Sequence, residues 1–179
     1  MWRLDAAAAL AMCAFASIPA AQTASAPDVA VKAALLFNFA KFTEWPSQPA
    51  GSPIVACIIG SDAVAAELVR IAGGQAIGGH PVDVARPQES GSWKTCQVLF
   101  IAVAESGRAA GGLGGIRSAP VLTVSDSKGF AQAGGIIELY VDNDRMRFAI
   151  NVDAAERAGL RLSSRLLQLA TVVRDIHAP

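Results

Sequence analysis

The chain has 179 residues, with 15 Lys and Arg against 15 Asp and Glu, so its formal net charge is zero. That balance speaks against a nucleic-acid binder, which carries a basic excess. With 53% hydrophobic and only 17% charged residues the chain is not intrinsically disordered, and its length suits one domain with a real core.

Arg3 opens the chain, Asp5 follows, and Ala6 to Ile18 carries no charge. Small residues come next, in Pro19-Ala20-Ala21. This is the layout of a secretory signal peptide over 1–20, cleaved near Ala20. The apolar run is too short for a permanent membrane span. Met12 makes Leu10-Ala11-Met12-Cys13 a poor lipidation box. The expected product is an exported, soluble protein with a mobile leader over 21–28 and a single domain over 29–177.

Asp28 stands where it can cap a helix over Val29–Trp45, in which Val31, Leu35, Phe39 and Phe42 recur at helical spacing. Pro46 ends it. Residues 47–53 form a loop, and Ile54–Gly60 is a continuous apolar run, the mark of a strand buried on both faces. A helix over Ala63–Ala72 stops at Gly73-Gly74. Residues 75–86 alternate around Gly78-Gly79-His80-Pro81 and predict an edge strand or hairpin. A second buried strand spans Gln97–Val103, a glycine-broken helix spans 105–116, and a third strand spans Pro120–Ser125. After a connector over 126–133, Gly135–Val141 and Arg145–Ile150 flank Asp142-Asn143-Asp144 as a tight hairpin. A short helix over Val152–Ala158 and a longer one over Ser163–Ile176 close the chain. Apolar strands alternating with helices predict an α/β three-layer sandwich with a mixed, largely parallel central sheet and a late antiparallel hairpin at one edge.

Cys13 leaves with the signal peptide. Cys57 and Cys96 remain, an even pair in an oxidising compartment, which points to one disulfide. It would close a loop of about 40 residues, worth roughly 4 kcal/mol. The alternative is two buried free thiols acting as small core hydrophobes.

Little in the mature sequence carries chemistry. His80 and His177 are its histidines, and neither sits in metal-ligand spacing, so no metal site is expected. No Gly-x-Ser-x-Gly elbow presents a serine, and the glycine run 107–115 lacks the Lys-Ser/Thr ending of a phosphate loop. No catalytic residue and no cofactor is assigned. Asp142 and Asp144 belong to turn geometry. Arg157, Arg161 and Arg165 recur every four residues and would form one basic stripe if a helix ran through them. That stripe reads either as a solvated face or as a contact surface for an acidic protein partner.

Three segments are more specific. They are Val31-Lys32-Ala33-Ala34-Leu35-Leu36-Phe37-Asn38-Phe39-Ala40-Lys41-Phe42-Thr43-Glu44-Trp45-Pro46, then Gly134-Gly135-Ile136-Ile137-Glu138-Leu139 running on to Arg147-Phe148-Ala149-Ile150-Asn151, then Leu162-Ser163-Ser164-Arg165-Leu166-Leu167-Gln168-Leu169-Ala170. In this order behind a signal peptide they resemble the YfiR family of periplasmic proteins, from about Val31 to Val173. The resemblance implies a non-enzymatic periplasmic regulator that binds the periplasmic domain of an inner-membrane diguanylate cyclase and holds it inactive, so that release raises cyclic di-GMP and favours biofilm. It also implies sequestration by an OmpA-like outer-membrane lipoprotein, a homodimer, and redox sensitivity through cysteines. Cys57 and Cys96 fall where the family's strand cysteines lie. Some members carry a further pair near the late Gly-Gly strand, where this chain has Ala131, Ala133 and Glu138. Phe37, Phe39, Phe42 and Trp45 are expected to pack on the sheet, and Asn38 and Asn151 to bond to backbone.

The partner surface is assigned to Glu156, Arg157, Leu160, Arg161 and Arg165. A second reading is a small-ligand-binding protein serving another membrane receptor such as a sensor kinase, with Thr123, Ser125 and Asp126 lining a crevice at a strand end. A third is a hydrolase built on Ser125, Asp126 and His80.

Overall fold

The computed structural model describes residues 25–175, residue 88 apart. The signal peptide over 1–20 with Cys13, the first part of the leader, and Ile176 and His177 lie outside the described residues. Helix α1 (Ala26–Lys41) leads to β1 (Thr43–Glu44), β2 (Ile54–Ile59), α2 (Asp62–Ala72), β3 (Ala76–Ile77), β4 (His80–Ala85) and β5 (Val98–Ile101). Then follow α3 (Ser106–Leu113), β6 (Leu122–Ser125), β7 (Ile137–Asp142), β8 (Arg145–Asn151), α4 (Val152–Arg157), β9 (Arg161–Leu162), α5 (Ser164–Leu169) and β10 (Thr171–Val173).

The main sheet has the order β10-β8-β7-β6-β5-β2-β4-β3. Strands β4, β2, β5, β6 and β7 are parallel neighbours. The chain steps from β2 to β4 on one side, then crosses back to β5 on the other, the doubly wound pattern whose reversal lies between β2 and β5. The β7–β8 pair is the antiparallel hairpin, turned by Asn143 and Asp144 at φ 49° and 57°. Two positive φ angles give a turn whose twist matches the strands it joins. One three-residue strand, β10, lies outside this hairpin, parallel to β8. The mixed, largely parallel sheet of the expected sandwich is thus present.

Side chains alternate between the two faces. On the first face Ala56, Ile58, Val98, Phe100, Leu122 and Val124 join Ala33, Leu36, Phe39 and Ala40 of α1 and Val64, Ala65 and Leu68 of α2 in the larger core. Phe39 is fully buried and meets Phe148 edge-on at 5.0 Å, while Phe37, Phe42 and Trp45 are half-buried against the same core. On the second face Cys57, Leu99 and Ile101 meet Trp93, Cys96, Ala109 and Ile116 in a smaller core. The cover here is thin. Ala109 is the buried residue of α3, and a Cβ added at Gly112 would stand 2.5 Å from the Trp93 ring.

Two helices end earlier than their sequence patterns predict. Helix α1 starts at Ala26, with Ser25 as its N-cap and Asp28 inside the first turn, and stops at Lys41 rather than Trp45. The Thr43 hydroxyl donates to the Phe39 carbonyl at 2.7 Å, which satisfies one of the carbonyls a helix end leaves open. Thr43 and Glu44 then pair with Leu162 and Arg161. The last helix, α5, ends at Leu169, because Thr171, Val172 and Val173 pair with Ala149, Ile150 and Asn151. Their β-branched side chains suit a pleated strand better than a helix. Asn38 is exposed, and no side-chain hydrogen bond of its own is found among the described residues.

Cys57 on β2 and Cys96 just before β5 are joined by a disulfide, with Cα atoms 5.8 Å apart. The disulfide replaces the alternative of two buried free thiols, and with both cysteines 1% exposed the bond is sheltered from reductant in the folded protein. Non-reducing mass spectrometry of the exported protein is expected to give a mass lower by two hydrogens. Replacing both cysteines by Ala is expected to lower stability by about 4 kcal/mol, as the chain-entropy cost of a 39-residue separation predicts, read as a fall in Tm.

Candidate functional site

The residues expected to line a ligand crevice are engaged by the fold itself. The Thr123 hydroxyl accepts from the Ile136 N–H at 3.0 Å. Ser125 is fully buried, donates to the Ile101 carbonyl at 2.7 Å and accepts from the Ser127 N–H at 3.1 Å. Asp126 accepts from the Val103 N–H at 2.6 Å and forms an ion pair with Lys32. This last pair ties α1 to the ends of β5 and β6. At the point where the strand order reverses, the Glu105 side chain lies so close to Gly60 that a Cβ there would come within 2.4 Å of it. The strand-end crevice is therefore narrowed by Glu105, and what remains beside it is a cleft of about 340 Å³ between Glu89, Trp93, Glu105 and Arg108.

The hydrolase constellation does not form. His80 begins β4 while Ser125 ends the parallel strand β6, so they stand at opposite ends of the sheet. The His80 Nδ1 lies 2.9 Å from the Ser52 carbonyl oxygen, a turn contact.

The arginine stripe is broken up. Arg157 ends α4, Arg161 lies on β9 and Arg165 on α5. Gly159, at φ +70°, stops α4. Its N–H donates to the Glu156 carbonyl and the Leu160 N–H to the Ala155 carbonyl, which is the Schellman arrangement with its apolar residue folded inward. Leu160 is accordingly 5% exposed and part of the core, a correction to its place on the expected contact face. Arg157 is engaged in an ion pair with Asp175. The structure nonetheless brings Glu156, Leu160 and Arg161 together. With Val152, Leu162 and Leu167 they line a groove of about 370 Å³ with an apolar floor and a charged rim.

Glu138 matters more than its sequence context indicates, and Asn151 makes the backbone bonds expected of it. Glu138 is buried on β7, and its two carboxyl oxygens accept from the N–H groups of Gly129 and Ala131 at 3.0 and 3.1 Å. Asn151, fully buried at the end of β8, donates to the Ala131 carbonyl at 2.7 Å and to Asp175, and accepts from the Ala154 N–H at 2.9 Å to cap α4. The signal for Glu138 was available as an acid inside the apolar strand Ile137-Glu138-Leu139.

The chain belongs to the YfiR/HmsC-like family, whose model matches residues 29–171. The family is one of periplasmic regulators rather than catalysts. No curated protein matches the sequence. A crystal structure of a conserved domain protein from Vibrio cholerae is similar at a TM-score of 0.51 with 14% identity, over 80% of this chain and 59% of that one. The likeness is one of fold, and this chain spans well under two thirds of that protein's length. No helix among the described residues is long and apolar enough to cross a membrane.

Two measurements probe these polar anchors. Glu138→Ala strands two inward N–H groups and is expected to cost about 3 kcal/mol, with Glu138→Gln costing less because one acceptor oxygen stays. Faster hydrogen exchange at the Gly129 and Ala131 amides would accompany the fall in Tm. The Asp175 carboxyl is held below its usual range, first by the hydrogen bond from Asn151 and then by Arg157. A carboxyl lowered on folding adds stability above its unfolded pKa, and that stability is lost as the pH drops through the folded value. Asp175→Asn is therefore expected to reduce stability at neutral pH and to flatten its decline below about pH 4, checked by denaturant unfolding across that range.

Proposed function

We propose that the protein is a periplasmic repressor that binds the periplasmic domain of an inner-membrane diguanylate cyclase and keeps it inactive, limiting cyclic di-GMP and biofilm formation. The observation that carries this reading is the family match over nearly the whole domain. In this reading the protein is exported after cleavage near Ala20, works as a homodimer, can be sequestered by an OmpA-like outer-membrane lipoprotein, and has no chemistry of its own.

The groove bounded by Glu156, Leu160 and Arg161 supports a docking role. Its floor of Val152, Leu162 and Leu167 offers apolar area to desolvate, and Arg161 at the rim can pair with an acid, the combination that interfaces favour. Arg165 is exposed on the neighbouring helix and extends this basic side. Arg157 is instead engaged in its ion pair with Asp175.

Deleting the gene is expected to raise cellular cyclic di-GMP and surface attachment, and the rise should vanish when the partner cyclase is deleted too. Arg161→Glu is expected to keep the fold, since isolated surface charges add little to stability, and to weaken repression. An unchanged cyclic di-GMP level in the deletion strain, with the protein normally made, would remove the cyclase and leave the reading in which the protein serves another membrane receptor.

A further inference from the structure

A further cavity shares only Thr123 with the expected crevice and nothing with the groove beside α4. It opens between α3 and the turn over 130–136, at the amino ends of β6 and β7, the far side of the sheet from the strand-order reversal. Its volume is about 170 Å³ and its walls are apolar, with Leu113, Ile116, Val121, Phe130 and Ile136. One charged residue lines it, Arg117. The guanidinium lies against the backbone of Gly134, within 3.5 Å of where a Cβ would be, and donates a long 3.3 Å hydrogen bond to the Ala133 carbonyl. Gly134 sits at φ +95°, a backbone conformation that favours glycine. Among the described residues Arg117 makes no ion pair, which is also true of Arg145, Arg147, Arg161 and Arg165, but of these five Arg117 is the one that lines this cavity. Asp175 feels its charge, but that carboxylate is already held by Asn151 and Arg157.

We propose that this cleft binds a small hydrophobic carboxylate, its ring or branched chain inside and its carboxylate on Arg117. The size selects the body. An apolar cavity of about 150 Å³ has room for one benzene ring, and apart from Arg117 the wall residues present no polar side chain except the Thr123 hydroxyl, which is already bonded to the Ile136 N–H. The charge selects the head, because an arginine fork matches a carboxylate in a bidentate pair and is worth most beside apolar walls that exclude water. The proposal does not depend on the repressor reading, and it places the ligand away from the strand-end residues Ser125 and Asp126.

The test is a titration of the isotopically labelled, purified chain with benzoate, followed by amide chemical shifts, with benzamide as the neutral match in shape. Benzoate is expected to shift the amides of residues 113–117 and 130–136 saturably, and benzamide to bind about tenfold more weakly for want of the charged pair. Arg117→Gln should abolish that preference while leaving benzamide unaffected. Ala110→Phe, at an exposed position on the rim, should plug the cleft and remove both. Both variants keep buried residues intact, and their unperturbed spectra elsewhere report that they fold. Equal affinity for benzoate and benzamide, shifts confined to other parts of the surface, unchanged binding in Ala110→Phe, or no saturable shift at all would overturn the proposal.

Discussion

The connector between β6 and β7 runs through turns, with no ladder to pair its peptide groups, yet it lies on the buried second face of the sheet. Peptide groups hidden from water need partners, and here the strands beneath supply them as side chains. Ser125 receives the Ser127 N–H, Glu138 those of Gly129 and Ala131, Thr123 that of Ile136, and Asn151 grips the Ala131 carbonyl. Side chains that read as a possible ligand crevice are thus the scaffold of a loop. The rest of the carboxyl-terminal half depends on it: Asn151 also caps α4 and holds Asp175, so the helix, the segment after β10 and the connector meet at one amide.

How legible the fold was depends on which force set each element. Strands β2 and β5 are buried on both faces, so their sequences are continuous apolar runs that could be read directly. Helix α2 is amphipathic, with a serine N-cap and a glycine stop, and its limits were legible to within a residue. Other boundaries were decided by partners distant in sequence. Thr43 pairs with Leu162 and Glu44 with Arg161, partners that nothing nearby in sequence announces, and Thr171-Val172-Val173, β-branched throughout, turns from helix to strand where β8 offers an open edge. The arginine spacing of four was a false periodicity: Gly159 breaks the helix midway. Of the candidate site, the groove residues Glu156, Leu160 and Arg161 were named for a helical reason that the structure does not support, and a turn brings them together instead.

The same distinction separates the two ways in which this molecule is proposed to meet others. The family points to a protein that works by occupying a surface, and the groove beside α4 supplies apolar floor and charged rim for that. The cleft under α3 is of a different kind, small and closed enough for a molecule of a single ring. The thin cover of the second face explains why it exists at all. A glycine-rich helix of eight residues with little side-chain volume leaves space at its flank that bulkier residues would have filled.

The contact between Gly112 and Trp93 has a consequence for how this family of sequences can drift. The indole ring occupies the room that any larger residue at 112 would need, so neither position is free to vary alone. A side chain gained on the helix demands a smaller ring on the loop, and a smaller ring alone leaves a hole beside the disulfide. Related chains should therefore trade these two volumes as a pair, and the glycine at 112 is the footprint of the aromatic residue at 93, whereas Gly107, Gly111, Gly114 and Gly115 would each meet nothing within 4 Å.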